Sequence, residues 1–106
     1  MLHRFYVGIG NQPQDDGPPL HEKRRDALNL ATTFFGGATL LPTARGAWFD
    51  GFAVTVEDVD IYEVYIESTG QNDPYLFRFH AYLKTYFDQK EVLWLTTCAT
   101  RRDSHG

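Results

Sequence analysis

The sequence predicts an α+β domain whose elements follow one another in the order β-α-β-β-α-β. Three observations support this prediction. Apolar residues alternate or cluster in four short segments, they recur at three- and four-residue spacing in two longer ones, and turn-forming residues separate the segments. The length of 106 residues suits a single hydrophobic core. We therefore expect residues 1–106 to form one domain.

The first strand is predicted from alternation in residues 2–10. Phe5, Val7 and Ile9 lie on one face of this segment, and polar or small residues lie on the other. Three prolines and two aspartates follow in residues 11–19 and predict a flexible, irregular loop.

Residues 20–35 carry apolar side chains at helical spacing on one side and polar or charged side chains, Lys23 among them, on the other, which predicts an amphipathic helix. Pro18 and Pro19 stand where a helix can begin. Gly36 can adopt the left-handed conformation that ends one. The helix therefore has a defined start and stop.

A hairpin is predicted between the two helices. Its first strand includes residues 38–41. This strand either ends at Pro42 or resumes after it and extends through Trp48, and both possibilities stay open. Asp50 and Gly51 predict a tight turn. In the second strand, at residues 59–68, large side chains alternate between the two faces. Only one of these faces is free of charge, and that face is predicted to lie on the core.

The last third of the chain predicts a helix and a strand. Asp73 can cap a helix over residues 74–89, where apolar residues again form a stripe. A final strand over residues 91–100 is rich in β-branched and apolar residues. The charged tail at residues 101–106 is expected to fray.

This order of elements is that of the ferredoxin-like sandwich, a four-stranded antiparallel sheet with two helices on one face. The alternative is the same unit paired into a dimeric α+β barrel. The positions that can face one another across such a core are Phe5, Val7, Ile9, Leu28, Ala31, Phe34, Tyr62, Val64, Ile66, Leu76, Phe79 and Leu83.

Composition and charge limit the classes of partner and the cellular location that we expect. Fourteen acidic and ten scattered basic residues give a net charge of −4, so we expect no duplex nucleic acid as a partner. No apolar run approaches the roughly 20 residues of a membrane span, and the N-terminus does not resemble a signal peptide. The single Cys98, in an apolar run, is predicted to be a small core residue and favours a reducing, cytoplasmic location.

The candidate binding residues lie on the uncovered face of the sheet and in the hairpin loop. Tyr6, Glu63 and Tyr65 share that face, and Tyr6 and Tyr65 are expected side by side. Arg45 and Trp48 stand in the loop nearby. Aromatic rings with carboxylates at the rim suit a flat or cationic ligand, or a protein partner. The alternative is that this face packs on a second copy of the chain, or is covered by the TARG loop at residues 43–46 and the C-terminal tail.

No catalytic signature, metal-ligand spacing or cofactor motif stands out. His80 falls on the apolar side of the second helix and is interpreted as a hydrogen-bonded boundary residue. The carboxylates, with the first two placed in a loop, are interpreted as a solvated acidic edge: Glu57, Asp58, Asp60, Glu63 and Glu67.

The first strand FYVGIG, the glycine pair before the hairpin, the G-x-W sequence at Gly46–Trp48 and Gln89 before the last strand form a pattern. It resembles small uncharacterised bacterial and phage proteins of ferredoxin-like fold. The resemblance implies the fold and no activity.

We therefore expect a small non-enzymatic binding or interaction module that forms a homodimer. Two Trp, six Tyr and eight Phe are more than so small a core can hide. A phage or mobile-element protein that inhibits a host factor is one concrete version. The alternative is a cofactor-independent enzyme of the dimeric α+β barrel type, with His80, Tyr65 or Glu63 as acid or base. In either case Arg45, Trp48, Glu63 and Tyr65 are expected in one exposed patch.

Overall fold

The structure, a computed structural model, describes residues 1–10, 17–67 and 73–98. Most of the loop predicted at residues 11–19 and the whole tail predicted at residues 101–106 lie outside the described residues. The elements are β1 (Leu2–Gly8), α1 (Leu20–Phe35), β2 (Thr39–Phe49), β3 (Val54–Tyr65), α2 (Asp73–Tyr86) and β4 (Leu93–Thr97).

The four strands form one antiparallel sheet in the order β2-β3-β1-β4. Both helices pack on the same side of this sheet, which we call the covered face, and the other side is the open face. The predicted ferredoxin-like α+β fold is confirmed.

The core lies between the covered face and the helices. Ten of the twelve predicted core positions are buried, and Phe34 packs against the core at its margin. Leu28 is the exception, because Ala27 and Ala31 set the inward direction of α1 and place Leu28 to one side of it. Lys23, expected on the outer side of α1, is buried with its ammonium over the rings of Tyr86 and Phe87.

Aromatic rings join α2 to the sheet. The ring of Phe79 makes edge-to-face contacts with Phe5 at 5.1 Å, Phe35 at 5.9 Å and Tyr62 at 6.1 Å between centroids. Such pairs stabilise a core beyond the area they bury. On the same helix, a ring nitrogen of His80 lies 2.7 Å from the carbonyl oxygen of Val92, which links α2 to the segment before β4.

The central hairpin is longer than predicted. β2 continues through Pro42 to Phe49, and the register against β3 shifts between Leu41 and Ala44. An edge strand tolerates proline there because one side of its backbone has no partner strand. β3 begins at Val54, so the prediction that Glu57 and Asp58 lie in a loop is wrong.

The hairpin ends in the turn predicted at Asp50 and Gly51. One carboxylate oxygen of Asp50 accepts hydrogen bonds from the backbone N–H groups of Phe52 and Ala53, both at 2.9 Å. These hydrogen bonds favour the ionised carboxylate and lower the pKa of Asp50. Gly51 has a φ of 100°, which a residue with a side chain rarely adopts.

Two further predictions are wrong. Asp60 is not solvated but only 1% exposed, because it lies on the covered face and Arg24 from α1 binds it at 2.7 and 3.1 Å. Cys98 is exposed, because it follows β4, an edge strand that is itself mostly exposed. None of the helices in the described residues has the length and apolar character to cross a membrane, and the cytoplasmic location stays a prediction.

Candidate ligand-binding site

The open face presents pairs of residues from β1 and β3 at successive levels. Directly paired residues of antiparallel strands share a face. Tyr65 is paired with Leu2 at the lower end, Glu63 with Arg4 above it, and Val59 with Gly8 at the upper end. β2 and β3 then continue beyond this level as the hairpin.

At the lower end, the carboxylate of Glu63 is neutralised. Arg4 Nε donates a hydrogen bond to Glu63 Oε2 at 2.7 Å, and this contact raises the pKa of Arg4. A cavity of about 330 Å³ lies beside this pair, between the end of α1 and the start of β2, and Tyr65 contributes to its lining. Because Glu63 already has a cation beside it, this cavity offers little unmatched charge.

The structure does not bring the five predicted binding residues together. Tyr6 is paired with Ile61, four positions along β3 from Tyr65, so the two tyrosines stand about 13 Å apart and not side by side. Trp48 is paired with Thr55, about 26 Å along β3 from Glu63.

Arg45 lies on the opposite side of the hairpin from Trp48. It is paired with Asp58, three positions from Thr55 along β3, and successive residues of a strand alternate between faces. Its guanidinium stands 3.6 Å from the Asp58 carboxylate in an exposed ion pair. The expectation of one contiguous patch is therefore wrong, because it depended on the hairpin length and register.

A larger cavity of about 550 Å³, the upper pocket, lies at the upper end of the open face. Its volume is within the range of small-molecule sites. Gly8, Thr55, Glu57 and Trp48 line it from the sheet and hairpin. On the other side it is lined by the segment between α2 and β4, with Asp88, Gln89, Lys90 and Glu91, and by Leu93.

Glu57 is placed over β1 by two glycines. Gly8 and Gly10 leave room for its side chain, since a Cβ on Gly8 would overlap the Glu57 carboxylate and one on Gly10 would stand 2.9 Å from Glu57 Cβ. Trp48 Nε1 donates a hydrogen bond to Glu57 Oε1 at 3.1 Å. Among the described residues, no cation forms an ion pair with Glu57.

The far wall of the pocket is held by the end of α2. The backbone N–H of Gln89 donates to the carbonyl of Lys84 at 2.8 Å, which closes the helix end. The Gln89 side chain donates to the carbonyl of Phe87 at 3.2 Å, and its Oε1 approaches the space above Gly8. Asp88 takes a φ of 53°.

Sequence reasoning missed Gly8 and Glu57 as site residues. The signal was present: Gly8 and Gly10 are two residues apart in a predicted strand and so leave one face of it without side chains. The residue that fills this gap follows only from the pairing of β1 with β3, which the sequence does not show.

The upper pocket carries more negative than positive side chains: Glu57, Asp88 and Glu91 against Lys90. Trp48, 40% exposed, adds an aromatic surface. This combination favours a flat ligand that carries positive charge. In the part of the chain that the structure describes, no three histidine, cysteine or acidic side chains converge as they would around a metal ion.

No protein-family model matches the sequence, and no curated protein matches it. Solved structures are similar in fold. A phage SAM lyase in the apo state has a TM-score of 0.62 at 13% identity, over 94% of this chain and 91% of that chain. A phage SAM lyase in complex with S-methyl-5′-thioadenosine has a TM-score of 0.57 at 15% identity, over 91% and 88%.

A third similar structure is the divalent cation tolerance protein CutA1 from Thermus thermophilus. Its TM-score is 0.60 at 10% identity, over 95% of this chain and 88% of that chain. At these identities the likeness shows the ferredoxin-like fold alone. The resemblance drawn from the glycine pair and the G-x-W sequence is supported only to the extent that phage proteins share this fold.

Proposed function

We propose that this chain is a small-molecule-binding protein whose ligand, flat and positively charged, occupies the upper pocket. One observation carries the proposal: Glu57 stands over the glycines of β1, bound to the indole of Trp48 and without a cationic partner among the described residues. A half-buried carboxylate gains most from a cation that enters beside it.

The ligand class we propose is that of S-adenosylmethionine (SAM). Its adenine ring offers a flat surface for Trp48, and its sulfonium offers a positive charge for Glu57. The phage SAM lyases, which share the fold, give independent support for testing this ligand first. The pocket volume accommodates a molecule of this size.

Calorimetric titration of the purified chain with SAM tests the proposal. We expect binding, and we expect Glu57→Gln to weaken it at least tenfold, because the substitution keeps the shape and removes the charge. Glu22→Gln on α1, which removes one carboxylate outside the pocket, is the matched control and should bind as the wild type does. Absence of binding by the wild type, or equal affinity in Glu57→Gln, would contradict the proposal.

A second candidate function is cleavage of this ligand, and the position of Glu57 inside the pocket favours it. Breaking the bond between sulfur and the amino-acid chain leaves the electron pair on sulfur, which becomes the neutral thioether of S-methyl-5′-thioadenosine. As that bond breaks, the amino-acid fragment either loses a proton from the neighbouring carbon to a base such as Glu57 and forms an alkene, or its own carboxylate attacks the carbon that leaves sulfur and forms a lactone. Chromatography of SAM incubated with the protein would reveal the thioether, and intact SAM after prolonged incubation would leave binding alone.

A homo-oligomer is also proposed, on a separate observation. The hairpin beyond the sheet exposes Phe49, Val54 and Val56, and Phe52 at its tip is 96% exposed. Exposed apolar surface of this kind is typical of interaction sites. Sedimentation at micromolar concentration should give at least a dimer, and Phe49→Ser should reduce the mass. A monomer mass for the wild type would contradict this proposal and leave ligand binding unaffected.

A further inference from the structure

The segment that connects α2 to β4 contains a residue in an unfavourable conformation. Asp88 has a φ of 53° and is the only residue other than glycine with a positive φ among those described. It follows the end of α2. Its backbone N–H donates a hydrogen bond to the carbonyl of Thr85, and the backbone N–H of Gln89 donates one to the carbonyl of Lys84. A helix end with this pair of hydrogen bonds usually has glycine at the position of Asp88. An aspartate there costs stability that glycine would retain.

The location of Asp88 can explain this cost. Asp88 is one of the residues that line the upper pocket, and so is Lys90, two residues further along. Both side chains are exposed, and neither forms an ion pair with another described residue. One wall of the pocket therefore presents a carboxylate and an ammonium that have opposite charges and no ion-pair partners among the described residues.

Opposite charges on one wall match a zwitterion. The amino-acid end of SAM carries an α-ammonium and an α-carboxylate on the same carbon, whereas S-methyl-5′-thioadenosine lacks both groups. Charge-assisted hydrogen bonds from two matched pairs discriminate strongly between such ligands.

We propose that this wall is the specificity element of the site, with the Asp88 carboxylate binding the ammonium of an α-amino acid group and the Lys90 ammonium binding its carboxylate. The inference rests on the proposed function and adds to it the group by which the substrate is distinguished from its thioether fragment. Backbone strain at a pocket residue is a recognised mark of function.

The test compares two ligands in three variants by calorimetry. Asp88→Gly and Lys90→Met should each weaken SAM binding at least tenfold and leave the affinity for S-methyl-5′-thioadenosine within twofold. Lys84→Met, in the last turn of α2 and outside the pocket, is the control and should change neither affinity. If SAM is cleaved during titration, kcat/KM for SAM replaces its affinity.

A thermal readout separates a binding role from a structural one. Asp88→Gly should raise the melting temperature while it loses SAM affinity, because glycine suits the left-handed backbone. Wild-type affinity for SAM in both variants, or an equal loss for both ligands, would overturn the inference while the proposed function stands. Binding of neither ligand by the wild type would remove the proposed function and this inference with it.

Discussion

Asp60 and Glu57, two carboxylates on opposite faces of β3, have different partners. On the covered face, Asp60 is buried and held by two hydrogen bonds from Arg24. On the open face, Glu57 receives a hydrogen bond from the neutral indole of Trp48 and forms no ion pair with a described cation. A matched charge serves the fold, whereas an unmatched charge beside a cavity is available to a ligand. The alternation of side chains along one strand thus places a structural carboxylate, Asp60, and a carboxylate open to a ligand, Glu57, only three residues apart.

The largest effect is expected in the core of the covered face. Phe79→Ala removes a fully buried ring that contacts four others, so we expect a loss of about 3–5 kcal/mol in the free energy of unfolding. Phe77→Ala, on the same helix but 65% exposed, should cost less than about 1 kcal/mol. Urea denaturation measures both, and similar midpoints for the two variants would show that the inward side of α2 is misplaced.

The next effect concerns the buried charge. Arg24→Met leaves the Asp60 carboxylate buried without its cation, and we expect a loss of about 3 kcal/mol. Arg25→Met, which affects only a long, exposed contact with Asp26, should change stability by less than about 0.5 kcal/mol. An Arg24→Met variant as stable as the wild type would remove the contrast between the two faces.

Trp48 tests the open face by binding and not by stability. Trp48→Ala should weaken the ligand by more than about 1 kcal/mol, because an aromatic surface and the hydrogen bond to Glu57 are lost together. The fold should change little, and Phe52→Ala at the hairpin tip, 96% exposed, provides the control for ligand affinity. A large fall in melting temperature without any change in binding would instead identify Trp48 as a structural cover.

The smallest effect at neutral pH is expected at Tyr62. Its hydroxyl is buried without a hydrogen-bond partner among the described residues, so Tyr62→Phe should change stability by less than about 1 kcal/mol. Burial raises the pKa of Tyr62. The stability that the neutral Tyr62 hydroxyl gives the fold is therefore complete below the unfolded pKa of about 10. It is lost as the pH rises toward the pKa in the folded state.

Urea midpoints at pH 7 and at about pH 11 check this expectation. The wild type should lose stability between the two, and Tyr62→Phe should lose less. Tyr65→Phe, which changes a tyrosine 39% exposed on the open face, should follow the wild type. Identical losses in all three proteins would show that Tyr62 is not the group that titrates.

The fold could be predicted because its signals are local. The alternation at Phe5, Val7 and Ile9 and the helical spacing around Ala31 depend on a few neighbouring residues, and the core followed from them. The site could not be predicted, because it depends on pairing between distant strands. The alignment of Glu57 with the β1 glycines follows from the β1–β3 register, and the position of Trp48 follows from the length of the hairpin. Neither the register of β1 on β3 nor the length of the hairpin can be predicted from a short stretch of sequence.

The burial of two charged residues was also predicted wrongly, and for a physical reason. Asp60 and Lys23 were placed on the solvent side because isolated charges rarely leave water. In the structure Arg24 binds the first, and the rings of Tyr86 and Phe87 lie beneath the second. Such partners come from another element, so they become visible only when the helices are placed on the sheet.

The uninterrupted run of β3 has a genetic consequence. Glu57 and Tyr62 lie on opposite faces of one twelve-residue strand. The face that each side chain occupies therefore depends on the exact number of residues between them. Deletion of one codon between them would turn either the carboxylate toward the helices or the tyrosine toward the ligand. Point substitutions on the open face leave the spacing intact. In lineages of this chain, insertions and deletions should therefore collect in the connecting loops and be absent from β3.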